Sequence, residues 1–166
     1  MITTRLATRA DIPKAASVHI ESCIDIYRPF LTADQHSVTL PESLKRIWAE
    51  ERLEGGDFIL LAEDDGQTIG LVTVRMREPA YIDHFHVRPA LKGAGTGRIL
   101  MREVVAELRR RGAKACYLDY ALGNDAAAAF YGAMGGEEGE DVMGDLFGTP
   151  LPARIVRWPD LAALQL

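Results

Sequence analysis

The segment Val87-Arg88-Pro89-Ala90-Leu91-Lys92-Gly93-Ala94-Gly95-Thr96-Gly97-Arg98 constrains the fold more than any other stretch of the chain. Before it, residues 81–87 read as a strand. After it, residues 96–111 put Leu100, Val104 and Leu108 on one helical stripe, with Ile99, Met101 and Val105 beside it. A strand must therefore become a helix across a few glycine-rich residues. Glycine admits positive φ and lets a ligand approach the backbone. The open amides of a helix start face outward, where an anion is favoured. One such contact contributes about 0.3–1 kcal/mol at a surface and up to ~2 kcal/mol when partly buried, and a pyrophosphate can engage several amides at once. A turn that only redirects the chain would use the same glycines.

The remaining pattern fits a single domain over residues 1–166. Residues 2–6 read as a first strand. Asp11 and Pro13 open a helix over about 12–27, stopped at Arg28-Pro29. Residues 28–40 read as an irregular loop. A second helix starts at Pro41 and runs toward Gly55-Gly56. The runs 58–63 and 68–75 flank Asp64-Asp65-Gly66-Gln67, a hairpin signal. Residues 115–120 read as a strand and 125–134 as a helix capped by Asn124. Residues 137–145 are acidic and loop-like, and 154–158 read as a last strand. This order predicts a mixed α/β fold of the α+β type, with a single mostly antiparallel sheet of about six or seven strands and helices on both faces.

The turn lacks the Gly-Lys-Ser/Thr of a P-loop, and Arg98 stands where a dinucleotide fingerprint needs glycine. Lys92-Gly93-Ala94-Gly95-Thr96-Gly97 instead resembles the Q/R-x-x-G-x-G/A signature of the GNAT superfamily of N-acetyltransferases, with Lys92 in place of the usual Gln or Arg. Asn124-Asp125-Ala126-Ala127-Ala128-Ala129-Phe130-Tyr131 resembles that family's N-x-x-A-x-x-F-Y helix. Gly135-Gly136 departs from the family's Gly-Phe, which bears on the packing of the C-terminal strands. The resemblance implies the acyl-CoA N-acyltransferase fold, with acetyl-CoA as acyl donor and an amine as acceptor. It implies that Lys92, Gly93, Ala94, Gly95, Thr96, Gly97 and Arg98 hold the pyrophosphate. Phe85, His86 and Val87 would line the pantetheine arm like an added strand. Asn124 would hydrogen-bond the cofactor near the splayed strands, beside its role as a helix cap, Tyr131 would also contact the cofactor, and the family leaves room for a homodimer.

An amine attacking a thioester must lose a proton, because a lysine-like amine is mostly charged at pH 7. The departing thiolate can take one up. By the resemblance, Tyr131 is the acid. Period-two alternation puts Tyr81, Asp83, Phe85 and Val87 on one face and Ile82, His84 and His86 on the other. Asp83 is the first candidate base and His84 the second, with a water chain as the other route. Tyr27, Arg28, Phe30 and Tyr120 are the acceptor-side candidates, Arg28 as partner of a carboxylate on the acceptor. His84-x-His86 has no third ligand nearby in sequence, so no metal is expected. Cys23 and Cys116 read as buried structural thiols rather than nucleophiles, which favours direct attack over an acetyl-enzyme.

The net charge of −5 argues against a nucleic-acid partner, and Arg109-Arg110-Arg111 reads as a solvated helix end. No signal-like or membrane-spanning stretch occurs, and two cysteines make a poor disulfide framework, so a cytoplasmic setting is expected. The expected function is acetyl transfer to an amine, with a small molecule as acceptor. The alternatives are a protein N-terminus or lysine as acceptor, or a CoA-binding module that regulates without turnover.

Overall fold

The structure, a computed structural model, describes every residue except Arg52 and Phe147. Its elements are β1 (Thr3–Leu6), α1 (Ile12–Ile26), α2 (Leu40–Glu50), β2 (Phe58–Asp64), β3 (Gln67–Arg75), β4 (Ala80–Val87), α3 (Thr96–Arg110), β5 (Cys116–Ala121), α4 (Asp125–Ala133), β6 (Glu137–Leu146) and β7 (Thr149–Trp158). Asp65 and Gly66, both at positive φ (47° and 78°), close the β2–β3 hairpin as its sequence predicts. The seven strands make one sheet in the order β1-β2-β3-β4-β5-β7-β6. All neighbours are antiparallel except β4 and β5, which are parallel.

Both faces of the central strands are buried, which is why β2 opens as an apolar run and β3 reads as a β-branched one. On one face Ile59, Leu61 and Leu71 meet Ala15 and Val18 of α1 and Trp48 of α2. On the other, Leu60, Val72, Val74 and Ile82 meet Leu100, Met101, Val104 and Leu108 of α3. The helical stripe seen in the sequence is thus the seam of the larger core. No helix among the described residues is long and apolar enough to cross a membrane.

Four sequence expectations change. Residues 137–145 are not a loop but most of β6, which pairs with β7 along its length. Its acidic residues are matched across the hairpin: Arg154 holds Asp141 (2.7 Å) and Arg157 holds Glu140 (2.6 Å). The second helix stops at Glu50, well before Gly55-Gly56, and Gln35–Thr39 forms a π-helical turn leading into it. Arg109 and Arg111 are tethers rather than a solvated end. Arg109 Nε donates to the Leu161 carbonyl (2.6 Å), and Arg111 lies over the Phe58 ring (4.4 Å) and donates to the Gly56 carbonyl (2.6 Å).

The fourth correction concerns β4. Thr73 is register partner to His84 and Val74 to Ile82, so a β-bulge falls at Asp83. The bulge breaks the alternation. Ile82 joins Phe85 and Val87 against the α3 core, while Asp83 turns away from them to bond Arg75.

Gly136 explains the departure after α4. A Cβ there would lie 2.5 Å from Val156 and 2.9 Å from Trp158. The buried Trp158 ring, whose Nε1 donates to the Met134 carbonyl (2.9 Å), fills the space beside it.

Candidate functional site

The parallel pair β4–β5 is joined only at Ala80 with Cys116 and Tyr81 with Tyr117. Beyond Tyr81 the strands separate, leaving main-chain groups of β4 without a neighbour on that side. A cavity of about 410 Å³ occupies the opening. It is lined by Phe85, His86 and Val87 of β4, by Lys92, Gly93, Gly95, Gly97 and Arg98 of the turn, by Asn124, Ala126, Ala127 and Phe130 at α4, and by Ser22, Ile26 and Leu91.

The turn is built as its glycines require. Gly93 and Gly95 take positive φ (83° and 87°), and a Cβ on either would meet nothing within 4 Å. The amide of Lys92 bonds the Pro89 carbonyl and that of Ile99 bonds Gly95. Between them, none of the amides from Gly93 to Arg98 donates to a main-chain carbonyl among the described residues. Thr96, 1% exposed, has a buried hydroxyl without a hydrogen-bond partner. A row of unused donors around open space at a helix start suits a phosphate group. Lys92 reaches Asp25 on α1 (2.7 Å), and Arg88 is tied to Glu21 and to the Thr68 carbonyl (2.8 Å), which fixes the turn against α1 and β3.

Gly97 has a different reason. A Cβ there would sit 3.2 Å from the Phe130 ring, where α3 crosses α4. The Gly97→Val variant should lose about 1–3 kcal/mol through overpacking. Thermal unfolding measures this, and an unchanged melting temperature would show that Phe130 moves aside freely.

Asn124 caps α4, its Oδ1 accepting from the Ala127 amide (3.1 Å), and it also lines the cavity. Tyr131, 8% exposed, packs edge-on against Phe85 (6.0 Å between centroids) and Trp158 (6.1 Å). Its hydroxyl has no hydrogen-bond partner among the described residues. Burial, helped by the Asp119 carboxylate, pushes its pKa above the ordinary phenol range, so it is protonated at neutral pH.

The other expected residues are more scattered. Ala94, Thr96 and Tyr131 adjoin the cavity without lining it. Asp83 Oδ2 accepts from Arg75 Nε (2.9 Å), and Arg75 also reaches the buried Glu51 (2.6 Å). His84 lies on the α1 side beside His19 (4.2 Å), its buried Nδ1 without a hydrogen bond and 3.8 Å from Asp83 Oδ2, and burial lowers its pKa. Tyr120 points to the α3 side and donates to Glu138 (3.1 Å). Tyr27 and Phe30 share an edge contact (6.4 Å), Phe30 lies against Gly123, and Arg28 is exposed. Sequence reading missed Ser22, Ile26, Leu91, Ala126, Ala127 and Phe130. The apolar face of α1 signalled packing, but not which turn of it meets the cavity.

His19, Cys23 and His86 bring their ligand atoms within 4.8 Å of one another. Trp48 Nε1 donates to His19 Nδ1 (3.0 Å), which puts the imidazole proton on Nε2 and leaves that nitrogen no lone pair for an ion. Burial also holds both thiols protonated, Cys116 at about 12. His86 Nδ1 is bonded to Ser22 Oγ (3.0 Å), and burial brings its pKa down to about 3.

Comparison with known proteins bears on this geometry. The sequence model of the acetyltransferase (GNAT) family matches residues 20–135. An uncharacterized N-acetyltransferase of Methanocaldococcus jannaschii is 30% identical over 105 residues, 58% of this chain; the match spans 46% of that relative, so the chain accounts for about half of its length. A GCN5-related N-acetyltransferase structure from Rhodopseudomonas palustris superposes with a TM-score of 0.77 at 20% identity, covering 93% of each chain. The PaiA N-acetyltransferase of Thermoplasma acidophilum, in complex with coenzyme A, superposes at 0.64 with 17% identity, covering 93% of this chain and 98% of that one. Those two structures share the fold; the family match, over most of the chain and across both the glycine turn and α4, carries the assignment. The chain belongs to the acetyltransferase (GNAT) family.

Proposed function

We propose that the chain transfers an acetyl group from acetyl-CoA to a primary amine by direct attack in a ternary complex, with a small molecule as acceptor. The observation that carries this reading is one cavity joining the unused amides of residues 93–98 to the open edge of β4. A pyrophosphate fits the amides. An amide-bearing arm fits the strand edge, as an added strand would. The Thermoplasma relative, solved with coenzyme A, supports the same ligand here. When bound, acetyl-CoA supplies the activated acyl group; the protein orients it and moves protons.

Asn124 is placed to hydrogen-bond the ligand with the amide nitrogen its cap leaves unused. Tyr131, protonated at neutral pH, is assigned the proton that the departing thiolate takes up. Of the two expected bases, Asp83 spends its carboxylate on Arg75 and His84 is buried away from the cavity. We therefore assign the proton leaving the amine to water. Buried thiols with raised pKa values argue against a cysteine acetyl-enzyme.

The test is thermal unfolding with acetyl-CoA, with ATP and NAD as controls, followed by thiol release with an amine panel. At 100-fold over Kd a ligand of the native state adds about 2.7 kcal/mol. For a chain of this length that is a rise of roughly 5–11 °C. A rise with acetyl-CoA alone, followed by amine-dependent thiol release, is the expected result. A rise without release under any amine would identify a non-catalytic binding module, and no rise would refute the donor site.

A further inference from the structure

Leu118 and Tyr120 pack toward α3, so Tyr117 and Asp119 project from β5 to the opposite face, beside Tyr81. There, where β4 and β5 begin to part, two opposite charges share one aromatic platform without pairing. The Tyr81 and Tyr117 rings lie 5.0 Å apart at the last paired position of β4 and β5. Arg77, from the turn before β4, lays its guanidinium over both, 4.6 Å from the Tyr81 centroid and 5.4 Å from that of Tyr117, and donates to the Tyr117 hydroxyl. Asp119 Oδ1 accepts from the Tyr81 hydroxyl (2.9 Å). Among the described residues neither charge has an ion-pair partner.

An exposed arginine ordinarily samples many rotamers. Stacked on two rings, this one is held in place while the rest of its planar fork of donors has no partner among the described residues, and such a fork is how arginine recognises a carboxylate. Asp119 offers only acceptors. It stands two residues beyond the last paired position, where β5 leaves β4, and its charge disfavours ionisation of both Tyr27 and Tyr131. The anionic end of the platform is therefore the end nearer the proposed acid, and the cationic end is farther from it. A small molecule carrying an ammonium and a carboxylate satisfies both ends with its amine toward the chemistry. A simple amine leaves Arg77 unused, and a peptide N-terminus has its α-carboxylate tied up in an amide.

We propose that the acceptor is a free amino acid, its ammonium held by Asp119 and its carboxylate by Arg77. The proposal rests on the acetyl-transfer reading above and moves the carboxylate contact from Arg28, where sequence placed it, to Arg77.

The experiment is thiol release from acetyl-CoA with the common amino acids, the best of them compared with its carboxamide and its decarboxylated amine. In the wild type the amino acid should exceed both derivatives by about tenfold or more in kcat/KM. Arg77→Gln should raise KM for the amino acid about tenfold while leaving the decarboxylated amine unchanged. Asp119→Asn should raise KM for all three. The melting-temperature rise with acetyl-CoA should be the same in both variants, showing an intact donor site. An equally good amide or decarboxylated amine, or an unchanged amino-acid KM in Arg77→Gln, overturns the proposal. No thiol release with any of the acceptors, despite the acetyl-CoA shift, overturns the transfer reading and this proposal with it.

Discussion

Acidification from pH 7 to pH 5 is expected to cost the fold about 2 kcal/mol, before most carboxylates are protonated. His86 is neutral in the folded protein because burial, reinforced by His84 and Lys92, brings its pKa down to about 3. In the unfolded chain it titrates near 6.5. Between those values the unfolded state holds a proton that the folded state lacks. The stability is fully present above pH 6.5 and falls by about 1.4 kcal/mol per unit below it, or about 2 kcal/mol by pH 5. His19 and His84, also lowered chiefly by burial, add in the same direction. The ion-paired carboxylates Asp11, Glu63 and Glu107 have lowered pKa values, so their contributions stay intact until the pH falls below the ordinary carboxylate range. The window from 6.5 to 5 thus belongs to the imidazoles. A melting temperature lower by about 4–8 °C or more at pH 5 is the expected reading. A flat profile would mean that these rings are solvated or charged in the folded protein.

Replacing Tyr131 by phenylalanine should lower kcat by about 10²–10⁴-fold, the usual contribution of a positioned acid. The ring contacts with Phe85, Phe130 and Trp158 survive in the variant, so only the hydroxyl is tested. The acetyl-CoA shift in melting temperature should be unchanged, which separates lost chemistry from lost binding. A kcat within about twofold of the wild type would make Tyr131 a core tyrosine only and leave the thiolate to be protonated by solvent.

Local signals in the sequence were reliable where the determinant was itself local. The positive-φ glycines at 93 and 95, the Asn124 cap and the Leu100–Val104–Leu108 stripe each depend on a few neighbouring residues, and each lies where the pattern put it. What stayed hidden depends on partners distant in the chain. Strand β6 carries glutamate, aspartate and glycine, which strands disfavour, and makes sense only once Arg154 and Arg157 lie opposite. The bulge at Asp83 leaves no mark in an alternating sequence, yet it decides that the carboxylate meets Arg75 and not Phe85's side of the sheet. Arg77 and Asp119, forty-two positions apart, share a platform only because two tyrosines meet where β4 and β5 begin to part.

That parting has a mechanical meaning. Strands β1 to β4 form one blade and β5 to β7 another, and only two register positions stitch them together. A ligand laid along the free edge of β4 would act as a missing thread in the seam, so donor affinity and the coherence of the two blades become one quantity. Substitutions that loosen the seam, even far from any atom of the ligand, would then register first as weaker donor binding and only later as unfolding.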